Sequence, residues 1–197
     1  MLEEQRVRLK ALAGEYLSIG IAEGGNPRRS IPVPWKHTCN AFNMKTPDLW
    51  LAPEDLEDLE VLEMLRQSRV VGCYCFCPLE DYSVLRHFPH IWDLQIHKGQ
   101  QLKDLRFMEN MRDWFQLYIE DAQLEDLKPA FPGNWREKGL HSYCVGFVGC
   151  RIRDISALLR EDICLNELVI CQPEGTCEKD RWKSVRASSY QYYEYKE

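Results

Sequence analysis

The sequence predicts an α/β protein built as a short solenoid of five to six stacked coils, with a parallel sheet along one side and short helical turns along the other. Two observations carry this. A tetrad of the form apolar-x-Asp-apolar recurs with starts at Leu56, Leu79, Leu102, Leu124 and Ile152, which are 23, 23, 22 and 28 residues apart. Ahead of each stands an apolar-x-apolar pair: Leu49/Leu51, Val71/Cys73, Leu94/Ile96, Leu117/Ile119 and Val145/Phe147, with a sixth, Leu168/Ile170, that no tetrad follows. A unit of about 23 residues cannot bury its apolar face alone, whereas stacked copies bury a continuous core.

Taken in order, residues 2–13 set Leu2, Val7, Leu9 and Leu12 among charges, the pattern of a short amphipathic helix, and Gly14 ends it. Residues Tyr16–Ile21 alternate with period two and predict a strand, broken at Gly24-Gly25-Asn26-Pro27. Residues 28–45 show no periodicity, and Trp35 and Phe42 are expected to pack on the first unit. Residues 1–47 thus form an amino-terminal cap, 48–177 the stacked units and 178–197 a carboxy-terminal cap, all in one domain. Within a unit, extended residues two apart share a side, so Leu94 and Ile96 face the core while Gln95 and His97 face an open side. Each tetrad's aspartate then stands before a turn with a further hydrophobic four residues on: Leu62, Leu85, Met108, Ala130 and Leu158. Aspartate is a favoured helix N-cap, because its carboxylate accepts from unpaired N–H groups of the first turn. The 28-residue interval reflects an insertion at 131–139, read as an outside loop. The tail, with Trp182, Tyr190, Tyr192, Tyr193 and Tyr195, is read as a cap over the last unit.

Composition limits the function. The chain has 197 residues, a size for one domain, with 45% hydrophobic and 28% charged residues, as in a folded protein. No run approaches the roughly 18 apolar residues of a membrane span, and residues 1–10 lack the apolar stretch of a secretory signal, so a cytoplasmic protein is expected. A net charge of −6 speaks against nucleic acid or an anionic membrane and favours a basic partner. Nine cysteines, an odd number at irregular spacing, read as reduced thiols rather than a disulfide framework.

At Ile119 to Ala130 and Phe147 to Leu158 above all, the pattern resembles the leucine-rich repeat family, in particular the short internalin-like repeats of about 22 residues. The resemblance covers about Asp48 to Pro173. It departs where the family places the asparagine of its ladder: here stand Glu54, Phe76, Gly99, Ala122, Cys150 and Pro173, which predicts wetter, looser turns. The resemblance implies a right-handed solenoid whose concave strand face binds another macromolecule without a cofactor. The residues it puts on that face include Trp50, Tyr74, Asp93, Gln95, His97, Gln116, Tyr118, Glu120 and Glu167. Trp50, Tyr74 and Tyr118 are expected as an exposed aromatic row, the usual anchors of a protein interface, rimmed by acids. The function expected is therefore a non-enzymatic protein-binding module for a protein partner, in a narrower version an inhibitor of a basic enzyme or toxin.

The alternative is a zinc- or thiol-dependent enzyme. Cys73, Cys75 and Cys77 with His87 and His90 carry zinc-ligand chemistry, but Cys-x-Cys spacing departs from the usual Cys-x-x-Cys and the alternation puts Cys73 in the core. Cys144 near His141 could pair a nucleophile with a base, without any recognisable surrounding motif. The five aspartates stacked unit on unit suggest caps rather than a calcium or catalytic ladder, because capping also explains the hydrophobics four residues on.

Overall fold

The structure, a computed structural model, describes residues 1, 3–25, 49–111, 114–133, 143–175 and 179–196. The expected packing of Trp35 and Phe42 falls outside these residues, as does most of the insertion. Helix α1 (Glu3–Ala11) buries only Leu9 and ends at Gly14, whose φ of 84° is open to glycine at no steric cost. Strand β1 (Tyr16–Ile21) follows, then β2 (Leu49–Leu51), helix α2 (Leu59–Gln67) and β3 (Arg69–Cys75). The remaining elements are β4 (Asp93–Ile96), β5 (Gln116–Glu120), β6 (Gln123–Asp126), β7 (Cys144–Val148), β8 (Arg151–Asp154), β9 (Leu165–Pro173), α3 (Lys179–Lys183) and β10 (Ala187–Tyr195).

Eight of the strands form one parallel sheet in the order β2-β1-β3-β4-β5-β7-β9-β10. The molecule is thus α/β, with few helices and a sheet that does not close into a barrel. From β3 onward each new strand lies beside its predecessor in the sheet. The pairs read from the sequence account for this: Leu94 and Ile96 stand in register with Leu117 and Ile119, then Val145 and Phe147, then Leu168 and Ile170. All eight side chains are fully buried. Behind them lie Leu79, Leu102, Leu124 and Ile152 from the tetrads, and Leu62, Leu85, Met108, Ala130 and Leu158 from four residues beyond each aspartate.

Each aspartate accepts a hydrogen bond from the backbone N–H two residues on: Asp58 from Glu60 (2.9 Å), Asp81 from Ser83 (2.7 Å), Asp104 from Arg106 (3.0 Å), Asp126 from Lys128 (2.8 Å) and Asp154 from Ser156 (2.7 Å). Only after Asp58 does an α-helix follow. After Asp81 and Asp154, and past Leu105, there are short 3-10 turns, since a handful of residues suffices to bring one apolar side chain back to the core.

Several expectations are corrected. Strand β1, assigned to a cap, is inserted between β2 and β3, pairing with both. Strand β3 carries an irregularity near its start, so Val70, Cys73 and Cys75 face the core and Val71 does not. The tetrads at Leu124 and Ile152 are themselves strands, β6 and β8, paired in a second two-stranded parallel sheet. Phe131, the first residue of the insertion, is buried edge-on against Trp114 at 5.3 Å between ring centres. Two of the turns are packed, not wet. Ala122 and Cys150 are fully buried, the Cys150 thiol donates to the Ile119 carbonyl (3.2 Å), and Gln172 Nε2 donates to the Cys150 carbonyl (3.0 Å). A cysteine and a glutamine here satisfy backbone oxygens from side chains. In the tail, α3 covers the core with a fully buried Trp182, while β10 lengthens the sheet instead of closing it.

Candidate functional site: the second face of the sheet

Residues between the core-facing positions line the opposite face in three rows set by strand register. The middle row runs Trp50, Gly20, Tyr74, Gln95, Tyr118, Gly146, Val169, Gln191. The row at the amino-terminal side carries Ser18, Gly72, Asp93, Gln116, Cys144, Glu167 and Ser189. The row at the carboxy-terminal side carries Phe76, His97, Glu120, Val148, Cys171 and Tyr193. All nine residues read from the sequence as binding residues share this face, so the alternation placed them together.

Their exposure was misread. Tyr74 and Tyr118 keep only 5% and 2% of their surface in contact with solvent, Asp93, His97, Gln116 and Glu120 are buried, and only Trp50, Gln95 and Glu167 are partly open. Much of the reason is glycine. Trp50 lies over Gly20 in the neighbouring strand, where a Cβ would sit 2.6 Å from the indole. Tyr118 lies over Gly146 in the same way, 2.7 Å from the ring. Tyr74 folds back along its own strand over Gly72. A residue without a side chain leaves a trough in the pleated surface, and a neighbouring ring fills it by lying along the sheet. The rings also stack on one another: Trp50 to Phe76 at 5.6 Å, Phe76 to His97 at 4.8 Å and nearly parallel, and His97 to Tyr118 at 5.3 Å.

Two carboxyls sit inside this layer. Gly72 stands opposite Asp93, so Tyr74, folded over that glycine, brings its hydroxyl toward the Asp93 carboxyl, and Gln95 Nε2 donates to Asp93 Oδ2 at 3.0 Å. Burial pushes Asp93 up to about 7, against the pull of Tyr74 and Gln95, which favour its ionised form. Glu120 accepts from the Tyr118 hydroxyl at 2.7 Å, and its Oε1 is 3.5 Å from His97 Nδ1. Burial, then the nearby Glu120 charge, hold the Tyr118 phenol far above its ordinary range. Glu167 accepts from Gln191 Nε2 at 3.0 Å, and Tyr193 donates to the Gln191 side-chain oxygen at 2.6 Å. Asp93, Glu120 and Glu167 are the charged members of the three rows, and all are acidic. Arg69 lies below the rows against the Tyr16 ring.

Of the alternative zinc set, the three cysteines are buried. Cys73 and Cys75 face the core, Cys75 held well above its ordinary value by hydrogen bonding to Cys73 and by burial. Burial pushes Cys77 up to about 11 and Cys150 up to about 12, the opposite of an activated thiol. His87 lies against Arg66, 2.7 Å from Nη2 to Nδ1. Among the described residues no three His, Cys, Asp or Glu side chains converge on a point that could hold a metal ion. His141 lies outside the described residues.

Sequence reading missed what the glycines of this face do for the rings, the stacking of Phe76, and the contribution of β10 through Gln191 and Tyr193. A glycine inside an otherwise strand-like run was the available signal, since it marks a close approach of another group. No family model matches this chain, and neither a curated protein nor a solved structure is similar to it.

Proposed function

We propose that this chain is a degenerate leucine-rich-repeat-like solenoid that binds a basic protein partner, such as an enzyme or toxin it would block, through the second, concave face of its sheet. The solenoid reading is supported by the constant strand-to-strand register of the apolar pairs and by the aspartate that accepts from the N–H two residues on in every unit. The observation that carries the binding reading is the sign of the charge: Glu167 stands half-open and Glu120 lies beside the rings, while none of the residues of the three rows is a lysine or arginine. An acidic, ring-lined wall attracts a basic segment, and electrostatic complementarity of this kind sets association rate and partner choice. The anchors are the open members of the face, Trp50, Gln95 and Glu167. Tyr74 and Tyr118 instead form the floor that holds them.

The test is titration of the protein with fluorescent oligolysine and oligoglutamate peptides. Oligolysine is expected to bind, less tightly at high salt, and more weakly still to a Gln95→Lys, Glu167→Gln variant than to a control with Glu3 and Glu4 changed to glutamine. Equal capture of both peptides, or equal weakening in the two variants, would refute the reading.

A further inference from the structure

Strand β10 is a nine-residue edge: it pairs with β9 on one side, and among the described residues no strand lies on the other. Every second N–H and C=O of such a strand points away from the sheet, a template for another backbone. Natural edges are blunted by prolines, inward charges, lysines, bulges or shortness. The run Ala187–Tyr195 has no proline, no lysine and one charged residue, Glu194, and it keeps register with β9 from Ser189 to Tyr195. The opposite edge, β2, has three residues. The hydroxyls of Tyr190 and Tyr192 are buried there without a hydrogen-bond partner.

We propose that β10 pairs antiparallel with β10 of a second copy of this chain about a twofold axis, joining two eight-stranded sheets into one. Three features select a second copy and this symmetry. A pair of identical strands is self-complementary only when antiparallel across a twofold axis. Centred on Gln191, that pairing sets Tyr190 opposite Tyr192 of the second copy, Ser189 opposite Tyr193 and Ser188 opposite Glu194, so no like charges meet within the nine residues. Aromatic pairs directly opposite one another stabilise an antiparallel ladder. Head-to-tail growth from β10 onto β2 could use only three residues, whereas the twofold pairing uses the whole edge. The interface lies at the end of the sheet, apart from Trp50 and Gln95 but beside Glu167, which accepts from Gln191; because pairing is read from β10 exchange and not from peptide binding, this proposal and the binding of a basic partner fail separately.

Sedimentation of the full chain over a range of concentrations, with hydrogen exchange of its amides, tests this. The expected result is a monomer–dimer equilibrium in which Ser188–Tyr195 amides gain protection as the dimer forms, while Leu49–Leu51 amides do not change. Ser189→Lys with Gln191→Lys sets ammonium groups opposite one another and is expected to weaken the dimer on the order of tenfold, with an unchanged circular dichroism spectrum. A monomer at every soluble concentration, a dimer that leaves β10 exchange unaltered, or a series of larger head-to-tail species would each overturn the proposal. Should the double variant unfold, the concentration dependence of β10 exchange in the unaltered protein decides alone.

Discussion

Both faces of the large sheet enclose large side chains, yet by different means. On the core side, Leu94, Leu117, Val145 and Leu168 stack in register and pack on the turns behind them, so burial follows from aliphatic side chains standing off the sheet. On the other side, Trp50, Tyr74 and Tyr118 lie along the sheet over glycines, and carboxyls are enclosed between the rings. The core face tolerates a change in shape only at the cost of a cavity. The ring face depends on the absence of side chains at three positions and on each carboxyl keeping its donor. Burial of a side chain therefore says little about what holds it there.

The comparison can be tested by substitutions on each face, beginning with the largest effect. Because burial raises Asp93 from 3.8 to about 7, the folded state holds a proton that the unfolded state releases, and this site costs stability increasingly as pH rises between those values. Asp93→Asn removes the cost. Relative to the unaltered protein it should be near neutral at the acid end and stabilising above neutral pH, by at most about 4 kcal/mol at roughly 1.4 kcal/mol per pH unit. Urea unfolding across that range checks it, and a constant difference between the two proteins would show that Asp93 is not enclosed. On the core face, Ile119→Ala should cost about 3 kcal/mol at any pH, as cavity-forming changes do.

Gly146→Ala separates the two faces most directly. A methyl group there meets the Tyr118 ring, which must lift, and a loss of about 2 kcal/mol is expected together with a rise in tyrosine fluorescence quenching by acrylamide. A neutral result would mean that the ring has no preference for the trough. Tyr118→Phe should cost about 1.5 kcal/mol by taking the hydroxyl from a buried Glu120, and much less when Glu120→Gln accompanies it. Least of all, Asp154→Ala should lose about 0.5–1 kcal/mol, the value of a cap on the outer turn, and leave both faces unaltered by near-ultraviolet circular dichroism.

Much of the fold was legible because its signals are local. Leu117 and Ile119 alternate, Asp126 precedes a turn, and Ala130 returns to the core; each needs only its own few residues. The candidate site was legible as membership of a face and illegible as exposure. Tyr118 was read as an open anchor because Gly146, the residue beneath it, is 28 positions away in the chain and carries no pattern of its own. Phe76, placed where the family has asparagine, gave no hint that it stacks on Trp50 and His97. Strand β10 was read as a cap because crowded tyrosines suit a lid, yet Tyr190 and Tyr192 stand in register with Leu168 and Ile170 as one more strand.

By itself, then, the sequence determined which side of a strand a residue takes wherever the alternation is unbroken, though not across the irregularity in β3, and where each aspartate turns the chain, since both follow from periods of two to four residues. Tertiary structure alone decided which strands are neighbours. That choice inserted β1 between β2 and β3, laid rings over glycines, enclosed Asp93 and left β10 without a second neighbouring strand among the described residues, because cross-strand pairing depends on residues tens of positions apart whose identities the local pattern does not encode.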